Sequence, residues 1–141
     1  MTAIPLIPRN TKLDRLLAQC HRRRYTAKST IIYAGDRCES LFVVVKGSVT
    51  IVIEDDDGRE MIITYLNPGD FFGEMGLFDL PDNSDTPRSA WVRAKSECEV
   101  AEISYSKFRE LAQQDPSLLN MLACQMAERL RNTTRKVGDL A

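Results

Sequence analysis

One stretch of the sequence, Gly69-Asp70-Phe71-Phe72-Gly73-Glu74-Met75-Gly76-Leu77-Phe78, mixes glycines, a carboxylate and apolar residues in an order that ordinary packing does not demand. Gly73 and Gly76 bracket a segment able to expose successive backbone N–H groups at the start of a helical turn, which makes an anion cradle. A phosphate fits there. Further along, Arg88 would bring a permanent charge able to grip an anion with two parallel hydrogen bonds, and Ser89 a hydroxyl donor, at the start of a predicted strand. Glu74 would repel such a ligand unless it has another task, such as accepting a hydrogen bond from a sugar hydroxyl. Taken alone these residues leave the matter open, because glycine turns in β proteins are mostly structural.

A cradle needs a rigid frame, and the flanking sequence predicts one. Short β-branched or aromatic runs occur at residues 29–33, 40–45, 48–54, 60–65, 88–94 and 99–104. Their separators, Ala34-Gly35-Asp36, Lys46-Gly47, Asp55-Asp56-Asp57-Gly58 and Asn67-Pro68-Gly69-Asp70, suit turns or positive φ. Many short strands at this spacing predict an antiparallel sandwich or roll. Leu13, Leu16, Leu17 and Cys20 recur at helical spacing, so a short amphipathic helix comes first, followed by the basic run Arg22-Arg23-Arg24. After Ser104 the period changes. Residues 105–113 read as a helix, Asp115-Pro116 as a stop and restart, and 117–141 as one long helix. On it Leu119, Leu122, Met126, Leu130, Thr133, Val137 and Leu140 follow one another by threes and fours, the spacing of a coiled-coil seam. Glu128, Arg129, Arg131, Arg135 and Lys136 flank that narrow stripe, so the seam calls for a second copy of the chain.

Composition narrows the function classes. A chain of 141 residues can bury a core without disulfides or metals, and its net charge of -1 gives no global pull toward nucleic acid or an anionic membrane. No apolar run is long enough to span a bilayer, and Met1 to Arg9 carries prolines where a signal peptide would have its apolar core, so a cytoplasmic protein is expected. Cys20, Cys38, Cys98 and Cys124 lie far apart without a C-x-x-C motif, which predicts reduced, packed thiols. A metal enzyme of the cupin type shares the roll architecture but needs several histidines. With His21 alone, neither a metal nor an enzyme is expected.

Residues 69–78, the pair Arg88-Ser89, Lys46-Gly47-Ser48-Val49, the segments 89–94 and 98–105, and Thr133-Thr134-Arg135-Lys136-Val137-Gly138 closely resemble the bacterial cAMP receptor, or catabolite activator, family. The resemblance runs from His21 to nearly the end and includes that family's phosphate-binding cassette. It implies an antiparallel β jelly roll with short flanking helices (residues 1–116) and a long dimerisation helix (117–141). It also implies that cAMP is the ligand. The Gly73 backbone and Ser89 would hold the cyclic phosphate with Arg88, Glu74 would take the ribose 2′-hydroxyl, and Met75 would belong to the same cassette. Ile51, Ile63 and Thr64 would form pocket wall, and Arg129 would reach toward the ligand from the long helix. Thr133 and Thr134 stand where the family places a Thr-Ser pair that touches the purine, one residue from each subunit.

The segment 79–87 is longer than the family pattern, an insertion that loops accept cheaply. Some relatives lacking the cassette arginine respond to a cyclic dinucleotide, and the presence of Arg88 and Glu74 favours cAMP over cyclic di-GMP. The alternatives are a sensor of cGMP or cyclic di-GMP, or a dimerisation module without a ligand. His21, Arg23 and Lys107 fall where the family touches RNA polymerase, and the acidic turn 54–57 where another such contact lies. The chain ends where a hinge and a helix-turn-helix domain would follow. It is therefore expected to sense the nucleotide, while promoter DNA is read by a domain outside this sequence.

Overall fold

The structure is a computed structural model that describes residues 11–37, 39–78 and 90–140, with Thr11 and residues 133–140 as backbone only. Cys38, Arg88 and Ser89 therefore lie outside the described residues. The described chain runs α1 (Thr11–Leu17), β1 (His21–Tyr25), β2 (Thr30–Ile32), β3 (Ser40–Lys46), β4 (Val49–Glu54), β5 (Glu60–Leu66), β6 (Phe71–Phe72), β7 (Trp91–Ala94), β8 (Cys98–Ser104), α2 (Tyr105–Gln114) and α3 (Ser117–Leu140). A 3-10 turn, Met75–Phe78, follows β6. The strands form two four-stranded antiparallel sheets in the orders β1-β8-β3-β6 and β2-β7-β4-β5, the jelly roll that the strand spacing predicts.

β3 shows how the layers are assembled. Successive side chains of a strand point to opposite faces, and here Leu41, Val43 and Val45 join a core with α1, α2 and α3, while Phe42 and Val44 join a second core between the sheets. Its sheet is covered on both faces, so β3 reads as an unbroken apolar run. Phe42 stacks on Phe72 of β6 with ring centroids 5.1 Å apart, which seats the strand leading into the glycine-rich segment. Gly47 turns the chain from β3 to β4 with φ +77, and a Cβ there would lie 2.3 Å from the Glu97 carbonyl oxygen. No other residue fits that turn.

Two strands escape the pattern of the sequence. β1 contains the basic run 22–24; its residues are exposed except for the half-buried Tyr25, so it has no apolar alternation to read. It is held by its ladder to β8 and by ion pairs of Arg22 and Arg24 with Glu99 and of Arg23 with Glu102. β6 is only two residues long. The thiols also differ from expectation in one respect: Cys98 is buried and Cys20 half-buried, but Cys124 is exposed on α3.

The seam on α3 requires a correction. Leu118 and Leu122 are buried in the protomer's own core, and Met121 and Met126 pack partly against it, whereas Leu119 and Leu130 are exposed. The break at Asp115-Pro116 brings α3 back against α2 and α1, and its first turns must then cover the helix-facing core. Leu122 is thus a core residue of its own subunit, and Met126 is shared with that core. Thr133, Val137 and Leu140 continue the helix, but their side chains lie outside the described set.

Candidate functional site

The glycine-rich segment is anchored where it begins. Asn67 to Asp70 form a turn in which the Asp70 carboxylate accepts the Asn67 N–H (2.8 Å), Gly69 has φ +96, and backbone bonds tie Gly69 and Asp70 to Val44 of β3. The chain then pairs along β6, leaves the sheet at Gly73 with φ +76, and enters the 3-10 turn, where the Leu77 N–H donates to the Glu74 carbonyl (2.9 Å). A non-glycine residue at 73 would be held in the left-handed region, so the sharp exit explains the glycine.

Side chains from the two C-terminal helices hold the outward carbonyls of this segment. From α3, Gln125 donates to the Gly69 carbonyl (2.7 Å) and accepts the Phe71 N–H (2.9 Å), and Arg129, one turn on, donates to the Phe71 carbonyl (2.7 Å). From α2, the Tyr105 hydroxyl donates to the Gly73 carbonyl, and Arg109, one turn on, donates to the Leu77 carbonyl (2.8 Å). The Arg109 guanidinium also lies 5.8 Å from the centroid of the Tyr105 ring, within cation–π range. Residues four apart on a helix share a face, so each helix grips the segment at two points with one row of side chains. Gln125, Tyr105 and Arg109 were not legible as site residues. A helical glutamine and arginine read as solvated, and a tyrosine at a helix start reads as core.

Of the expected pocket wall, Ile51 of β4 stands directly opposite Thr64 of β5, and the ladder shifts register between Ile51 and Val52, leaving Ile63 as the extra residue of a bulge. Ile63 is exposed and Ile51 and Thr64 are half-buried, so this part of β5 offers an uncovered apolar surface. A polar cavity of about 290 Å³ opens between the end of β5, the 67–70 turn and α3; Thr64, Asp70, Gln125 and Arg129 line it. The structure thus brings Thr64 and Arg129 together and joins Arg129 through Phe71 to the segment that carries Gly73, Glu74 and Met75. Glu74 is half-buried and Met75 exposed. Arg88, Ser89 and the side chains of Thr133 and Thr134 lie outside the described residues.

His21 and Arg23 lie on β1 and Lys107 in the first turn of α2, which continues directly from β8, the partner of β1. Arg23 is paired with Glu102 (3.5 Å) and Lys107 with Glu110 (3.7 Å), so the basic patch is interleaved with carboxylates. In the acidic turn, the Asp55 carboxylate accepts the N–H groups of Asp57 and Arg59, which closes the β4–β5 hairpin. Among the described residues there is no cluster of three His, Cys, Asp or Glu able to hold a metal, and no helix long and apolar enough to cross a membrane.

Comparison with known proteins gives a consistent set of likenesses. The family model described as the cyclic nucleotide-binding domain matches residues 22–115. The cAMP-activated global transcriptional regulator Vfr of Pseudomonas aeruginosa is 73% identical over 141 residues, 100% of this chain and 65% of the relative. The cAMP-activated global transcriptional regulator CRP of Escherichia coli is 54% identical over 129 residues, 92% of this chain and 60% of the relative. Among solved structures, the c-di-GMP responsive global regulator CLP of Xanthomonas campestris superposes with a TM-score of 0.82 at 39% identity, covering 92% of this chain and 63% of that one. The chain therefore spans between 60% and 65% of the length of these relatives.

Proposed function

The chain belongs to the cyclic nucleotide-binding domain family, and from that premise we propose that it is the cAMP-sensing, dimer-forming part of a transcription regulator whose DNA-reading part lies outside this sequence. The observation that carries the reading is the family match over residues 22–115, a span that contains Gly73, Glu74, Arg88 and Ser89. In this reading the cyclic phosphate takes backbone donors of the cassette, the Ser89 hydroxyl and the Arg88 guanidinium, whose planar fork and fixed charge suit a phosphate edge. The Glu74 carboxylate accepts from the ribose 2′-hydroxyl. Ile51, Ile63 and Thr64 wall the nucleotide, Arg129 approaches from α3, and Thr133 and Thr134 meet the purine across a dimer built on α3.

The grips of α3 on Gly69 and Phe71 support an allosteric role, because they connect the cassette to the helix whose outer turns would pair with a second subunit. A ligand shifts an equilibrium only through contacts that differ between two states, and a nucleotide seated between cassette and helix pair would make such contacts. In the whole regulator this equilibrium would set DNA affinity. RNA polymerase would meet the face that carries His21, Arg23 and Lys107. A second reading, cyclic di-GMP as ligand, is favoured by the likeness to CLP, and Arg88 and Glu74 argue for cAMP.

Calorimetry of the chain with cAMP, cGMP and cyclic di-GMP tests both readings. cAMP should bind most tightly, and Arg88→Ala should cost about 2–5 kcal/mol of that binding, the scale for removing one partner of a desolvated charge pair. Tighter binding of cyclic di-GMP would replace cAMP as the ligand, and unchanged cAMP affinity in Arg88→Ala would remove the arginine from the site.

A further inference from the structure

The Gly73 carbonyl is held by a phenol that is itself part of the core: Tyr105 is only 6% exposed, at the first turn of α2. A trans peptide is planar, with its C=O and the following N–H pointing in opposite directions. The described chain contains no cis peptide. Fixing the Gly73 oxygen toward α2 therefore turns the Glu74 N–H away from α2. Among the described residues nothing accepts that N–H. The neighbouring grip of Arg109 on the Leu77 carbonyl holds the far end of the same 3-10 turn, and its guanidinium over the Tyr105 ring holds the tyrosine.

Glycine at φ +76 gives this peptide unit freedom that other residues lack, so without a tether it could rotate and withdraw its N–H. We infer that Tyr105 is a positioning residue for ligand recognition: its hydroxyl locks the Gly73–Glu74 peptide so that the Glu74 N–H stands ready to donate to an oxygen of the sugar-phosphate ring. This inference rests on the cyclic-nucleotide reading above. A donor fixed in advance binds more tightly than one that must be ordered on binding, because the ordering cost is already met by folding. Tyr105 touches no ligand in this account and acts through the peptide it holds.

Tyr105→Phe keeps the buried ring and removes only the hydroxyl. Gly73 is half-exposed, so water can reach the place of the lost hydroxyl and thermal stability should change little. Affinity for cAMP should fall about three- to tenfold, the size of one net hydrogen bond. The two phosphorothioate diastereomers of cAMP and 2′-deoxy-cAMP locate the acceptor. If the N–H serves the phosphate, the preference between diastereomers shrinks in the variant; if it serves the ribose, the penalty for the 2′-deoxy ligand shrinks. Either supports the inference. Equal loss for every ligand in step with a lower melting temperature overturns it, as does unchanged affinity. In the unaltered protein the Glu74 amide resonance must also shift when cAMP binds, and a silent amide overturns the inference whatever the variant does. If the unaltered protein binds no cyclic nucleotide, the functional reading fails first and this one with it.

Discussion

Leu122 and Leu130 occupy the same helix, α3, yet the first is fully buried and the second 68% exposed. The early turns of α3 are structural elements of the domain: Leu118 and Leu122 fill the helix-facing core, and Gln125 and Arg129 hold the start of the glycine-rich segment at Gly69 and Phe71. Beyond Arg129 the described residues Leu130, Arg131 and Asn132 are exposed, and of these Asn132 still borders the polar cavity beside β5. The predicted stripe therefore divides: Leu122 covers its own β roll together with Leu118, while Leu119 and Leu130 stand exposed. The lesson concerns heptad patterns at domain edges. The spacing of a seam shows that a face will be covered, and only the fold shows by what.

The strongest way to break this comparison is to truncate the two leucines. Leu122→Ala leaves a cavity in a packed core and should cost about 2–5 kcal/mol of unfolding free energy. Leu130→Ala on the protomer should fall within about 0.5 kcal/mol of zero. Urea unfolding of both variants, at concentrations low enough to keep any dimer dissociated, decides the matter. Equal costs would mean that the two ends of α3 do not differ as described.

Gln125 sharpens the same division from the polar side. Gln125→Ala strands the Gly69 carbonyl and the Phe71 N–H together, and should cost about 1–3 kcal/mol, with Gln114→Ala near zero as its exposed counterpart. Amide hydrogen exchange at Phe71 should accelerate in the first variant only. Protection at Phe71 that survives the loss of Gln125 would show that the ladder to β3, rather than α3, holds that strand.

Much of this was legible beforehand, for reasons that can be named. Runs of β-branched and aromatic residues between turn-forming segments located β2, β3, β4, β7 and β8, which carry buried side chains, and β5, whose run shows the same composition although only Leu66 in it is buried. β1 was hidden because its stability comes from backbone pairing and charge pairs at a sheet edge, which leave no apolar period. At the site, Gly73 was readable as one of two glycines bracketing exposed backbone N–H groups, its left-handed exit came only with the fold, and the resemblance supplied roles for its neighbours. The grips by Gln125, Tyr105 and Arg109 were not readable, since a side chain that bonds a distant backbone oxygen has no characteristic sequence spacing. The split of the α3 stripe failed for a related reason: Leu119 and Leu122 differ only in which way the helix faces once it has folded back.

A charge placed on the outer turns should act on association alone. Leu130→Asp is expected to weaken self-association by about tenfold or more, roughly 1.4 kcal/mol, since an aspartate would lose hydration in a packed seam. Its protomer should melt as the parent does. Sedimentation equilibrium reads the first quantity and calorimetry at low concentration the second. An unchanged dimer would move the subunit contact away from this turn.

The smallest effect expected uses the thiols as reporters of the two sides of α3. Cys20, half-buried after α1 and packed against the core that α3 covers, has its thiol pushed up to about 11 by burial, partly offset by the charge of Arg22. Burial likewise pushes Cys98 up to about 11. Cys124 is exposed. Alkylation proceeds through the thiolate and needs access, so iodoacetamide at about pH 8 should label Cys124 and spare Cys20 and Cys98, with peptide mass spectrometry reading each site. The same burial sets a stability trend. Folding holds these two thiols protonated, whereas an unfolded chain releases their protons from about pH 8.5 upward. Over that range the unfolded state binds fewer protons, so stability is complete below about pH 8.5 and declines as pH rises toward 11. Leu122→Ala, by loosening the core against which Cys20 packs, should speed labelling of Cys20 at pH 8 while leaving Cys124 unchanged. If Cys20 reacts as fast as Cys124 in the unaltered protein, the inner turns of α3 do not seal the core, and the contrast between the two leucines loses its physical basis.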